Sequence, residues 1–375
     1  MKILIVAGLS GSLTGFRKPL LVALLSKRVE VHAAAPDLLK NQNVALELQK
    51  LGIHIHDIPL SRTGLNPIQD FKSLFELYKL AQKIKPDAVL GYTIKPVIYG
   101  TLAAWLARVP KRFALITGLG YAFQESTDSK RSIVKKIAHG LYKLALSKSH
   151  TTFFQNPDDE QLFKKLGILK GNANTVVVNG SGVGLEDYPL TPLPEREPPR
   201  FLFVGRLLGD KGVREYAEAA QLVKQQYSDV EFDLVGGIDI NPNAIKQEEL
   251  DKWITDGRLN YFGQLKDVKP RIAACSVYVL PSYREGTPRS VLEAMSMGRA
   301  IITTDAPGCR ETVVNGVNGY LVPVRNSEAL VEAMIKLIEK PALIASMAIE
   351  SRRIAEEKYD VNIVNEQMIK EMLFL

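Results

Sequence analysis

Cysteine is scarce: the 375 residues hold only Cys275 and Cys309. Two thiols cannot build a disulfide framework or a four-ligand zinc site, which excludes a small stapled scaffold. Long apolar runs are missing too. No uncharged stretch approaches the roughly 20 residues that cross a bilayer. The run Ile3–Ala7 falls short of the roughly 7–15 apolar residues of a secretory core. These absences predict reduced thiols and a protein of the cytoplasm or of a membrane surface. No composition is extreme. Hydrophobic residues make up 46% and charged residues 24%, which excludes disordered and fibrous chains. Histidine is thin, with five residues. His54 and His56 share one face of a predicted strand, His32 lies in another strand, and His139 and His150 fall in or after a helix. No pair has partners arranged for a metal, so packing or surface roles are expected and no metal ligand is assigned.

What is present is an uneven charge. Residues 1–190 carry 25 basic against 14 acidic side chains, a net +11, whereas 191–375 carry 23 against 27, a net −4. A basic half suits an anionic partner such as a phosphorylated substrate, phospholipid head groups or nucleic acid. The length suits two domains at about 100–200 residues each. Lys2–Ala7 is a continuous apolar run ending at Gly8, the pattern of a parallel strand buried on both faces. Strands at 29–34, 53–57 and 88–90 alternate with helices at 19–26, 41–51 and 67–84, the signature of a doubly wound α/β sheet. Pro189, Pro192, Pro194, Pro198 and Pro199 then crowd one short segment, which predicts an extended linker. The alternation restarts with a strand at 200–204, a helix at 212–226, strands at 230–236, 259–262 and 277–280, and a helix at 288–297. The expected organisation is an N-terminal α/β domain over 1–187, a linker over 188–199 and a second α/β domain over 200–360. Ligands of such sheets bind beyond the carboxyl ends of the strands, so both domains are expected to face one substrate across a cleft.

Three loops carry chemistry. Gly8-Leu9-Ser10-Gly11-Ser12-Leu13-Thr14-Gly15 is glycine-rich, which lets backbone N–H groups approach a phosphate at a helix start. Its spacing departs from the dinucleotide fingerprint, and a tight structural turn would look the same. Phe203-Val204-Gly205-Arg206 ends a strand, and Lys211-Gly212 opens the next helix. An Arg fork and a Lys point charge in one loop suit a diphosphate, although two solvated charges in a turn share the pattern. Between Pro281 and Glu293, Glu285 lies before a helix that Pro288 is suited to start. Glu293 lies inside that helix on an apolar stretch, where a carboxylate needs a partner such as a sugar hydroxyl. The N–H groups of Gly286 and Thr287 at the helix start suit a leaving diphosphate.

Glu285 to Glu293, with Glu-Gly-Thr-Pro and Leu-Glu-Ala-Met, resembles the E-x7-E signature of the retaining glycosyltransferases of family 4. Gly205, Arg206, Lys211 and Gly212 are similar to that family's donor-diphosphate element, and the resemblance covers the whole chain. It implies the GT-B architecture, two Rossmann-like domains facing across a cleft, with a last helix at about 361–375 returning to the first domain. It further implies that Arg206 and Lys211 hold the pyrophosphate of a nucleotide sugar without a metal, and that Glu285 bonds the transferred sugar. Glu293 would hold the ribose, and Phe262-Gly263-Gln264-Leu265 would frame the nucleobase. Gly11 and Gly15 would approach the diphosphate from the first domain. Catalysis then rests on Arg206, Lys211 and Glu285, with Gly286, Thr287 and Pro288 in the donor site. No enzymatic nucleophile stands out, in keeping with front-face transfer, in which the leaving phosphate oxygen helps deprotonate the acceptor hydroxyl.

A narrower resemblance lies in the first domain. Leu65-Asn66-Pro67, Lys95-Pro96 and Arg112–Gly120 look like bacterial transferases that extend polyprenyl-diphosphate-linked sugars for O-antigen, capsule or N-linked glycan precursors. It implies a UDP-sugar donor carrying an N-acetylhexosamine or hexose, an acceptor side with Lys95, Thr117 and Tyr121, no cofactor, and a place on the inner face of the cytoplasmic membrane. Ile94 stands where related enzymes have a His. The segment 129–148, with Lys130, Arg131, Lys135 and Lys136 opposite apolar residues, is the expected docking helix, with Tyr121 and Phe123 as anchors. A core-packed helix has the same pattern. The competing functions are a sugar-nucleotide epimerase on this fold and a non-catalytic glycan- or nucleic-acid-binding protein. No nucleic-acid recognition motif supports the latter.

Overall fold

The computed structural model describes residues 1–61, 66–119, 129–195, 197–239, 241 and 243–373, and of 129–133 the backbone helix. The chain divides into two compact units, Met1–Ser181 with Asn362–Leu375, and Gly182–Val361.

The first unit is a parallel sheet of seven strands: β1 (Lys2–Val6), β2 (Glu30–Ala35), β3 (His54–Asp57), β4 (Ala88–Tyr92), β5 (Lys111–Ile116), β6 (Thr151–Phe154) and β7 (Thr175–Val177). Their spatial order is β3-β2-β1-β4-β5-β6-β7. Successive side chains of a strand point to opposite faces, and the two faces carry separate cores. Leu4, Val6, Val89, Ala114 and Phe154 pack with Leu77, Ala81, Leu102, Tyr142 and Phe163. Ile3, Ile5, Leu90, Phe113 and Phe153 pack with Leu20, Leu24 and Leu48 on the other side. Val364, Met368 and Met372 of the terminal helix Val361–Leu373 join this second core. Burial on both faces is why β1 reads as an unbroken apolar run.

Local sequence sets the helix ends. Asn66 accepts a hydrogen bond from the Gln69 amide, 3.2 Å, and Pro67 follows it to open the 18-residue helix Pro67–Ile84. Asn156 caps Pro157–Lys165 in the same way, and Asn326 caps Ser327–Glu339.

The second unit has six parallel strands, β8 (Arg200–Val204), β9 (Glu231–Val235), β10 (Asn260–Tyr261), β11 (Val277–Leu280), β12 (Ala300–Thr304) and β13 (Gly319–Val322). Their order is β10-β9-β8-β11-β12-β13. Strands β5, β6, β7, β12 and β13 were not among those read from the sequence. The proline-rich segment is not loose at its start. Arg299 is fully buried and spreads its guanidinium over main-chain oxygens. Its Nε donates to Ile272 O (2.8 Å), Nη1 to Thr191 O (3.0 Å) and Met297 O (2.8 Å), and Nη2 to Pro192 O (3.1 Å) and Ala273 O (2.9 Å). No carboxylate is among these partners; peptide carbonyls and the Thr191 hydroxyl, which accepts from Nη2 at 2.7 Å, solvate the charge.

That arrangement predicts a large stability effect at one residue. Arg299→Met keeps the volume but leaves buried carbonyls without donors, which should lower the unfolding free energy by about 3 kcal/mol or more. A urea titration checks it; an unchanged midpoint would contradict the reading.

Candidate active site

The order β10-β9-β8-β11-β12-β13 has a switch point between β8 and β11, where the chain leaves to one side and returns on the other. Loops beyond the carboxyl ends of such neighbours open a crevice. Lys211 comes from the loop after β8 and Glu285 from the loop after β11, and the ammonium pairs with the carboxylate there. Both side chains are largely buried, 19% and 14% exposed, so the pair is shielded from bulk water.

Three contacts lock these loops together. Asp210 O accepts from the Tyr283 amide, 2.9 Å, and from Ser282 Oγ, 3.2 Å. The Thr304 hydroxyl at the end of β12 donates to Ser282 O. Glycines allow the backbones to approach. Gly212 adopts φ +73°, and a Cβ there would stand 2.1 Å from Pro281 O. A Cβ on Gly308, φ +82°, would stand 2.2 Å from Glu285 O, while the Glu285 amide donates to Pro307 O, 2.9 Å. These are positions only glycine can fill.

The other second-unit residues expected in a donor site fall along the same strand ends. Gly205 directly follows β8, and its amide donates to Val235 O, 3.0 Å. Arg206 is exposed and holds Asp239 after β9 at 3.0 Å. Phe262, Gly263 and Leu265 follow β10. Gly263 O accepts from the Gly236 amide at 2.9 Å, and the Arg271 guanidinium lies 3.4 Å from the Phe262 ring centroid. Gly286 and Pro288 are buried and Thr287 is half-buried. Pro288 is the residue just before the helix Arg289–Ser296, so that helix starts one residue later than expected.

Glu293 is buried in that helix, but its carboxylate is already partnered. Arg289 Nε donates to it at 2.9 Å, one helical turn back, and the Tyr188 hydroxyl bonds to it. Burial pushes its pKa up, and Arg289 and Tyr188 oppose the rise. The expectation that Glu293 needs an outside partner therefore overlooked two protein groups. Spacing of i to i+4 makes Arg289 findable from sequence; Tyr188 has no local signal.

Gly11 and Gly15 sit in the first unit, at the start and just past the end of a short helical turn, Gly11–Thr14, after β1. There too β1 and β4 flank a switch point. Ser12 Oγ lies 2.7 Å from the buried Tyr92 hydroxyl, and a Cβ on Gly8 would stand 2.8 Å from Thr93 Oγ1. Thr93 has φ +69°, a left-handed backbone that is strained for a β-branched residue. Lys95 is buried, and its ammonium donates to Asp70 Oδ1 and Ser61 Oγ, both at 2.7 Å. Burial and the Asp70 carboxylate push the Tyr99 hydroxyl pKa up. Lys95 thus ties the segment after β4 to the helix Pro67–Ile84. Ile94, in the place of the family's histidine, packs partly buried against the core of that same face. Thr117 follows β5 and is half-buried; Tyr121 lies outside the described residues.

Known proteins resemble this chain in sequence and in fold. Residues 198–340 match the family described as "Glycosyl transferases group 1", and residues 2–156 match "Glycosyl transferase 4-like". The chain is 31% identical over 382 residues to the N,N'-diacetylbacillosaminyl-diphospho-undecaprenol alpha-1,3-N-acetylgalactosaminyltransferase of Campylobacter jejuni, covering 99% of this chain and 98% of that one. It is 31% identical over 300 residues to the UDP-Gal:alpha-D-GlcNAc-diphosphoundecaprenol alpha-1,3-galactosyltransferase of Escherichia coli, covering 76% and 75%. Among solved structures, HepE of Anabaena in complex with UDP superposes with a TM-score of 0.78 at 19% identity over 100% of both chains. The chain belongs to glycosyltransferase family 4, with the GT-B fold.

The lock between the loops is testable by kinetics. Lys211→Ala and Glu285→Ala should each lower turnover by about two to three orders of magnitude through lost charge stabilisation and positioning. Gly308→Ala, which carries no charge, should cost about a hundredfold by displacing Glu285. Near-normal rates in any two of these variants, with intact folding by circular dichroism, would refute the site.

Proposed function

We propose that this glycosyltransferase moves an N-acetylhexosamine or hexose from a UDP-sugar to a saccharide carried on a polyprenyl diphosphate. The full-length likeness to the Campylobacter enzyme carries this reading. Transfer proceeds with retention and without a divalent ion. Lys211 and Arg206 neutralise the leaving diphosphate, an arrangement that orients and stabilises charge with no metal. The sequence also lacks the Asp-x-Asp pattern of a metal-held diphosphate. Glu285 bonds hydroxyls of the transferred sugar, and Glu293 those of the ribose. The leaving oxygen takes the acceptor proton on the face it vacates.

The deciding experiment is a panel of UDP-, GDP- and dTDP-sugars with polyprenyl-diphosphate-linked acceptors, with products read by mass spectrometry and anomeric configuration by NMR. The expected result is transfer from a UDP-sugar, with retention, undiminished by EDTA. Loss of turnover in EDTA that magnesium or manganese restores would overturn the metal-independent mechanism.

Such an acceptor stays in a membrane, and no helix among the described residues is long and apolar enough to cross one. The helix Ser129–Leu146 is less free to dock than its sequence suggested. Tyr142, Ala145 and Leu146 are in the core, although Val134, Ile137 and Leu144 are exposed. The helix Pro67–Ile84 has a stronger outward stripe. Ile68, Phe71 and Phe75 are 84%, 70% and 47% exposed, at i, i+3 and i+7. Both helices cover the same core, and the net +11 of residues 1–190 complements anionic lipid. Docking of this helical layer to the inner leaflet follows. Ile68→Ser with Phe71→Ser should weaken binding to anionic vesicles by up to roughly a thousandfold, at about 2 kcal/mol per fully buried side chain. Transfer to a short soluble acceptor should persist. Vesicle binding equal to wild type would remove this surface from the account.

A further inference from the structure

The edge of the first unit's sheet carries a cluster that the transfer reaction does not use. Strand β3 is the outermost strand and pairs in parallel with β2, with His32 directly opposite His54 and Ala34 opposite His56. Alternation along β3 gives His54 and His56 the same face, and Glu30 precedes His32 by two residues on β2. Four polar side chains therefore share one small patch. The His32 ring stacks on His54, with centroids 4.6 Å apart, and on His56, 5.2 Å apart.

We propose that Glu30, His32 and His54 form a site for one divalent transition-metal ion, zinc by preference. One ligand atom from each lies within 4.8 Å of the others. Bonds of about 2.0–2.2 Å to a tetrahedral zinc need ligand atoms nearer to one another than that limit. The closing movement falls to Glu30 and His54, which are exposed, whereas His32 is buried and fixed. Two imidazoles and one carboxylate are a known zinc donor set that leaves a fourth position to water.

His56 completes the arrangement without ligating. Its Nε2 lies 3.0 Å from His32 Nδ1, and His32 Nε2 lies 3.0 Å from Glu30 Oε1. In the metal-free chain His32 donates from Nε2 to the carboxylate and accepts at Nδ1 from His56. Metal at Nε2 reverses that hydrogen bond. His32 then carries its proton on Nδ1 and donates to His56 Nε2, and the His56 proton moves to its own Nδ1. No proton is released, and the ring gains the orienting partner that ligating histidines ordinarily have. Lys2 Nζ stands 3.7 Å from Glu30 Oε1 and must give way, which weakens the affinity.

Glu30 and His54 are the first residues of β2 and β3. The ion thus sits at the amino ends of the strands, opposite the loops where sheets of this kind bind substrate. Its role is to clamp the edge strand β3 to β2, and activity does not depend on it.

The test is calorimetric titration of untagged, chelator-stripped protein with Zn²⁺, beside titration with Co²⁺ read by visible absorption. One equivalent should bind, with the cobalt bands of a four-coordinate site, and zinc should raise the melting temperature. Glu30→Gln and His54→Ala should each weaken zinc binding by at least about tenfold, and His56→Ala by a similar factor. The far-UV circular dichroism spectrum, recorded alongside, should be unchanged in all three and reports that the variants are folded. Absence of saturable binding in the wild type would overturn the proposal, as would equal affinity in a His32→Ala/His54→Ala double variant.

Discussion

One charge pair organises the second unit. Lys211 and Glu285 lie 74 positions apart in the chain and meet because β8 and β11 are neighbours in a parallel sheet. The chain builds β9 and β10 on one side of β8 before returning to place β11 on the other. Loops that leave adjacent strands in this way diverge, and the space between them is where a ligand can enter. A cation from one loop and an anion from the other fill that space. The same constraint operates in the first unit, where β1 and β4 flank the reversal and the Gly8 loop closes on Thr93.

Bringing loops so close requires backbone without side chains. Gly212 against Pro281, Gly236 against Gly205 and Gly308 against Glu285 all place a hypothetical Cβ near 2 Å from a carbonyl oxygen. Each glycine joins loops from different strands, so these residues hold the relative positions of Lys211, Gly205 and Glu285 rather than the fold of any one loop. In the first unit the same closeness uses a strained threonine. Thr93 sits at φ +69°, and Lys95, two residues on, is anchored by Asp70 and Ser61.

How much of this is legible in the sequence depends on the kind of signal. Strands β1, β8 and β11 read clearly as apolar runs ending in Gly or Pro, since both faces are buried. Strand β6 is Thr-Thr-Phe-Phe and β7 only three residues, too short for a period to emerge. Strand β12 begins straight after Gly298-Arg299, so the end of one helix hides its start. Lys211, Glu285 and Gly205 were legible because each sits at a fixed offset from a strand or helix end. Tyr188 was not, because its contact with Glu293 depends on how the segment after Gly182 folds onto the second unit. The histidines illustrate the same limit. Alternation put His54 and His56 on one face, but only the pairing of β2 with β3 brings His32 and Glu30 to them.

The pairing of Lys211 with Glu285 also bears on how a charged ligand would be received. A bare ammonium at 19% exposure would carry a desolvation cost; here the carboxylate already offsets it. On the proposed assignment, a diphosphate takes the place of that carboxylate, so Lys211 stays partnered throughout and the site needs little reorganisation. Glu285, 14% exposed, then loses its counter-ion and must find donors, which the hydroxyls of the transferred sugar supply. A nucleotide diphosphate without its sugar leaves that carboxylate short of a partner. On that assignment the site favours the intact donor over the spent nucleotide. Arg206 is 54% exposed, and its bond to Asp239 is worth at most about 1 kcal/mol in water. It can turn to the phosphates at small cost. Discrimination thus rests on the shielded pair and reach on the exposed one.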